Sequence, residues 1–156
     1  MKRESGRDEY FMRKALAQAK LALRNNEVPI GAIIVNEDGE IVARAYNKIE
    51  KIGCQLGHAE CLVIQKACKK IGDWRLNQHW LYVTLEPCSM CLGLIELSRL
   101  KGVIYGGPSA LFGAITNEKE RPSYAKSLVI KSGVLETECI ELLQQFFGKV
   151  RKKGKV

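Results

Sequence analysis

The sequence predicts an α/β fold, a three-layer α/β/α sandwich on a central mixed sheet of five strands. Three observations carry this expectation. Periodic segments run in the order helix, hairpin, then helices alternating with strands. The strand candidates are short, apolar and β-branched, as buried strands are. The length of 156 residues, 46% of them hydrophobic, suits one domain spanning 1–156 that buries its own core without staples.

The first helix is expected over Asp8–Asn25, where Met12, Ala15, Leu16, Ala19 and Leu23 recur at helical spacing. Asp8 is the candidate cap, and Asn25 and Asn26 the stop. VPIGAIIV at 28–35 reads as a buried strand. NEDGE follows as a tight turn, with Asp38-Gly39 as the hairpin signal, and IVARAYNKI at 41–49 is the antiparallel partner. A helix is expected from His58 to about Ile71, and a strand in WLYVTLE at 80–86. PCSMCLGLIELSRL at 87–100 reads as a helix with Pro87 in its first turn, where a missing N–H costs nothing. GVIYGG at 102–107 is the fourth strand. PSALFGAITNEKERPS at 108–123 resists regular assignment and reads as loop with a short helical turn. LVIKSGV at 128–134 is the fifth strand, and TECIELLQQFFGKVRKK from 137 is a basic closing helix.

No apolar run is long enough to cross a bilayer, and the charged start MKRESGRDEYFMRK lacks the apolar core of a secretory signal. A cytoplasmic location is therefore expected. Six cysteines there read as reduced thiols or metal ligands, and Cys54, Cys61, Cys68 and Cys139 as small packing groups. The net charge of +8 leans toward a polyanionic partner, and GKVRKKGKV ends the chain with five cations and no acid.

Two short stretches carry the chemistry. HAE places His58 two residues before Glu60, and PCSMC sets Cys88 and Cys91 three apart. A Cys-x-x-Cys alone fits half a structural zinc site, a redox pair or plain packing. A four-ligand structural site is hard to complete, because the only other histidine, His79, lies in the polar turn LNQHW. A thioredoxin-like pair leaves HAE unexplained. The reading that uses every residue makes His58, Cys88 and Cys91 three zinc ligands at two helix starts. A helix N-terminus favours thiolate. Glu60 then sits beside the metal as a proton carrier.

His-x-Glu with Pro-Cys-x-x-Cys resembles the zinc-dependent cytidine and nucleobase deaminases, whose signature is a known pattern. NEVPIGAIIV, LYVTLEPCSMC, SRLKGVIYGG and GVLETECIELLQQFF extend the resemblance to the bacterial tRNA adenosine deaminases along nearly the whole chain. The resemblance implies a cytidine deaminase-like fold, one zinc held by His58, Cys88 and Cys91, and Glu60 as proton shuttle. It implies that Asn47 bonds the target purine, that the backbone of Ala59 reads the base edge and that Val28 lines the pocket. It further implies hydrolytic conversion of adenosine to inosine at the wobble position of an arginine tRNA, a flipped base from an anticodon loop, and a homodimer. Phe146 or Phe147 is then expected to stack on a base, and Arg151 and Lys152 to neutralise phosphates.

The chain departs from the family after the fourth strand. Ser109 stands where an aspartate is usual and Leu111 where a lysine is usual, so a charge-assisted contact of this loop with nucleotides becomes neutral or disappears. Two other readings remain at this point: a guanine or cytosine deaminase acting on a free base or nucleoside, and a zinc-stabilised RNA-binding module without catalysis.

Overall fold

The computed structural model describes residues 2–117 and 127–154. Helix α1 spans Lys2–Arg24, followed by strands β1 Gly31–Val35 and β2 Ile41–Tyr46. Helix α2 at Ile49–Ile52 and a 3-10 turn at Gln55–Gly57 lead into α3, Ala59–Ile71. Then come β3 Trp80–Leu85, α4 Ser89–Leu97, β4 Gly102–Gly107, α5 Ala114–Asn117, β5 Val129–Lys131 and α6 Glu136–Lys152. No helix among the described residues is long and apolar enough to cross a membrane.

The five strands form one sheet in the order β2-β1-β3-β4-β5. β1 runs antiparallel to both neighbours, whereas β3, β4 and β5 are parallel. The sheet is therefore mixed, as its sequence suggests. Side chains alternate across it with the strand period of two. Ala32, Ile34, Leu81, Val83, Val103 and Tyr105 pack under Val63, Ile64 and Ala67 of α3 and Leu92 and Ile95 of α4. Ile33, Val35, Tyr82 and Ile104 pack on the other side against α1 and α6.

Several boundaries differ from expectation for identifiable reasons. α1 begins at Lys2, so Asp8 is not a cap but an interior residue. Its carboxylate accepts the Tyr82 hydroxyl at 2.8 Å and meets the Lys131 ammonium at 3.4 Å, tying α1 to β3 and β5. β1 starts only at Gly31, because Pro29 has no N–H for a ladder. β2 ends at Tyr46, since Asn47 Oδ1 accepts the Ile49 N–H at 3.1 Å and turns the chain into α2. Pro87 precedes α4 rather than lying in its first turn, because Cys88 is the cap. α5 is the short helical turn foreseen in the 108–123 segment; residues 118–123 of that segment lie outside the described residues.

Gly31 fixes the spacing of α1 on the sheet. A Cβ there would collide with the Ala15 carbonyl oxygen and the Ala19 nitrogen, both helix backbone that has no room to yield. Gly31→Ala should destabilise the fold by about 1–3 kcal/mol, read as a lower urea midpoint at unchanged slope.

Candidate metal and catalytic site

Strands β2 and β3 both run opposite to β1, so they point the same way and their carboxyl ends share one sheet edge. The helices that follow them, α3 and α4, start at that edge on the same face. Ligand sites in open α/β sheets form at such an edge. His58 caps α3 and Cys88 caps α4, with Cys91 in the first turn of α4.

His58 Nδ1 lies 3.3 Å from Cys91 Sγ and 3.7 Å from Cys88 Sγ. All three donor atoms fall within 4.8 Å of one another, and no other such group occurs among the described residues. Tetrahedral zinc with ordinary Zn–S and Zn–N bonds separates nitrogen from sulfur by about 3.6 Å, so the donor set fits that ion. Cys61 Sγ is 3.9 Å from Cys91 Sγ yet lies outside the set. Three protein donors without a fourth is the arrangement of a catalytic zinc, which keeps one position for water or substrate.

Glu60 is 5% exposed and also lies outside the donor set. The Cys91 thiol donates to its Oε2 at 3.4 Å. Burial pushes the Glu60 carboxyl above its ordinary range. The Cys88 thiol is pulled down to about 4, first by the Cys91 thiol and then by the His58 ring hydrogen-bonding to it. Cys91 moves up, because hydrogen bonds with Cys61 and Cys88, and then burial, favour its protonated thiol.

Residues 5–107 match the family model for the cytidine and deoxycytidylate deaminase zinc-binding region. A tRNA-specific adenosine deaminase of Bacillus subtilis (strain 168) is 44% identical over 95% of this chain and 93% of its own length. The chain belongs to the zinc-dependent deaminases, in their tRNA-specific adenosine deaminase branch. It is a hydrolytic enzyme with zinc as its cofactor. A solved structure from work on A-to-I editing by tRNA:A34 deaminases at the wobble position of transfer RNA superposes with a TM-score of 0.79. That structure is 37% identical and covers 85% of this chain and 98% of its own. A guanine deaminase from Bacillus subtilis, 35% identical, superposes with a TM-score of 0.63 over 73% of this chain and 77% of its own.

Around the donor set, the deaminase chain builds a second layer that its sequence does not announce. Asn47 is 2% exposed; its Nδ2 donates to the Val28 carbonyl at 3.2 Å and its Oδ1 takes the Ile49 N–H. Asn47 thus performs turn chemistry whatever else it does. Ala59 is buried at the first position of α3, where backbone N–H groups have no acceptor within the helix. Glu27 is buried, and its carboxylate takes the N–H groups of Glu50 at 2.8 Å and Lys51 at 3.0 Å. Gly57 presses on the backbone of Lys48 and Ile49, and its carbonyl accepts the Lys48 N–H at 2.8 Å. These contacts set the segment that delivers His58.

Glu86 does the same for the other ligands. Its buried carboxylate accepts the Ser109 N–H at 3.1 Å, the Thr116 N–H at 2.7 Å and the Thr116 hydroxyl at 2.6 Å. The 109–116 loop is thereby pinned two residues before Cys88. A cleft of about 400 Å³ opens between them, lined in part by Cys88, Met90, Leu111 and Phe112. Ser109 Oγ accepts the Phe112 N–H at 3.4 Å, so its side chain braces the loop. Leu111 and Phe112, 85% and 73% exposed, rim the cleft. Phe112 was not singled out from sequence, because an aromatic beside glycine in a loop carries no periodicity. A larger cleft of about 830 Å³, between Cys68, Trp74 and Leu97, is lined by none of His58, Cys88 and Cys91.

The remaining expected contacts lie elsewhere in the deaminase. α6 packs on the α1 face, opposite α3 and α4. Phe146 is half-buried and Phe147 exposed, edge to face at 5.3 Å between centroids. Arg151 and Lys152 are exposed. None of the four joins the donor set. Of the cysteines expected to pack, Cys61 and Cys139 are buried, Cys68 is half-buried and Cys54 is exposed.

Proposed function

We propose that the whole chain, 1–156, acts as one cytoplasmic domain that deaminates adenosine to inosine in tRNA, at the wobble position of an arginine tRNA with an ACG anticodon. The observation that supports the chemistry best is the buried Glu60 carboxylate beside a three-donor set that it does not join. The substrate reading rests on similarity to the tRNA-specific relative, which spans nearly the whole chain.

His58, Cys88 and Cys91 would hold the zinc. When bound, zinc brings the pKa of water from about 15.7 toward about 7, so hydroxide is available at neutral pH. Glu60 takes one proton from the attacking water and gives it to the purine ring nitrogen, where it stays; it then carries the water's second proton from the C6 hydroxyl to the departing amino group, which leaves as ammonia. Burial raises this carboxyl above its ordinary range, which favours its taking up and holding a proton. Water adds one oxygen to C6, ammonia leaves with the exocyclic nitrogen, and inosine results. The Asn47 amide keeps one N–H and one oxygen lone pair beyond its two internal bonds, and these are what a purine edge would meet. The Ala59 N–H and the side of Val28 complete the pocket in this reading.

The anticodon stem-loop is the RNA partner, because its bases are already unpaired and flipping one costs little. Phe146, Phe147, Arg151 and Lys152 on the basic helix, together with the Ser109 loop, are the residues we assign to it. The working form is a homodimer, for which the exposed Trp74 and Leu97 offer an apolar face.

The test is direct. Protein incubated with arginine tRNA bearing ACG should yield inosine at the first anticodon position by mass spectrometry. The similarity to a guanine deaminase and the Ser109 and Leu111 replacements favour one second reading, a free-base deaminase. Turnover of free guanine with no inosine in tRNA would establish that reading instead.

A further inference from the structure

A histidine that gives Nδ1 to a metal must carry its remaining proton on Nε2. That N–H needs an acceptor that also holds the ring in plane with the ion. In this chain the atom facing it is Gln55 Oε1, 3.0 Å from His58 Nε2. Gln55 opens the 3-10 turn Gln55–Gly57, and its carbonyl also accepts the His58 backbone N–H at 3.3 Å. One residue therefore holds His58 at both its backbone and its ring. The turn is itself braced, by Cys54 Sγ accepting the Leu56 N–H at 3.5 Å and by Gly57 packed on Ile49. The opposite ring nitrogen faces the two sulfurs at 3.3 and 3.7 Å.

We propose that Gln55 is a positioning residue for the zinc site: its amide oxygen accepts the Nε2 proton of His58 and so presents the Nδ1 lone pair to the metal. This rests on the ligand set His58, Cys88 and Cys91. Gln55 itself is exposed and touches neither metal nor substrate in this role. Its effect is on zinc retention and on the field around the ion, not on the proton transfer that Glu60 performs.

Zinc affinity measured by chelator competition tests this on the full chain, with Gln55→Leu, Gln55→Ala, Gln55→Glu and His58→Ala beside the parent protein. The leucine and alanine variants should fold as the parent does by circular dichroism yet bind zinc about 10-fold or more weakly. Gln55→Glu restores an acceptor at the same reach and should recover affinity to the parent level or beyond. In cobalt-substituted protein the leucine variant should shift the visible ligand-field bands, which the glutamate variant returns toward the parent spectrum. Parent-like affinity in both the leucine and alanine variants overturns the proposal, as does a glutamate variant as weak as leucine. Parent-like zinc binding by His58→Ala would overturn the ligand set instead, which separates the two failures.

Discussion

Glu60→Ala should fold, hold one zinc per chain and still bind tRNA, yet produce inosine at least a thousandfold more slowly than the parent. Three decades in rate correspond to about 4 kcal/mol in the barrier, within the upper range for loss of a general acid–base group. The carboxylate is outside the donor set, so its removal leaves the metal's protein ligands intact. Glu60 is also buried, so truncation removes a desolvated carboxyl. Single-turnover rates with saturating enzyme separate the chemical step from binding. Near-parent turnover would remove Glu60 from the mechanism. A loss of zinc in parallel with rate would make it a ligand or a support for one.

His58→Ala should lose the metal itself. Two sulfurs remain, on one helix start, and a three-donor site reduced to two cannot hold zinc through purification. Elemental analysis should fall from about one zinc per chain to a small fraction of that, with activity lost in step. The thermal midpoint of the parent should rise with added zinc, because an ion that binds only the folded state stabilises it by mass action. That response should vanish in the variant. Full zinc occupancy in His58→Ala would mean another donor serves, with Cys61, 3.9 Å from Cys91, the first place to look.

The parts of the site that were readable share one property. His58 and Glu60 are two apart, and Cys88 and Cys91 three apart, each at a helix start. A helix turn puts the two cysteines on one face, and the start of α3 sets His58 at its cap with Glu60 in its first turn. What escaped reading depends on partners far away in sequence. Asp8 looks like a cap until Tyr82, 74 residues on, takes its carboxylate. Glu27 is one acid among many until α2 folds over it. Glu86 reads as the end of a strand, and only the folded loop shows that it pins Ser109 and Thr116. Gln55 sits in a segment with no periodic signal at all, within a turn too short to leave one.

The sheet order follows the same division. Alternation of apolar residues is a local consequence of the strand period, so five strands and two buried faces can be written down from the chain. That β1 inserts between β2 and β3 is a matter of which edges pair. It is this pairing that turns β2 and β3 the same way and brings two helix starts together. By itself the amino-acid sequence pointed to the donor set, to Glu60 as the proposed proton carrier and to the family, because those lie in short spacings and in side-chain chemistry. Only the tertiary structure decided how His58 is oriented, what supports each ligand and which loop side chains rim the cleft, because those depend on contacts between segments that folding alone brings within reach.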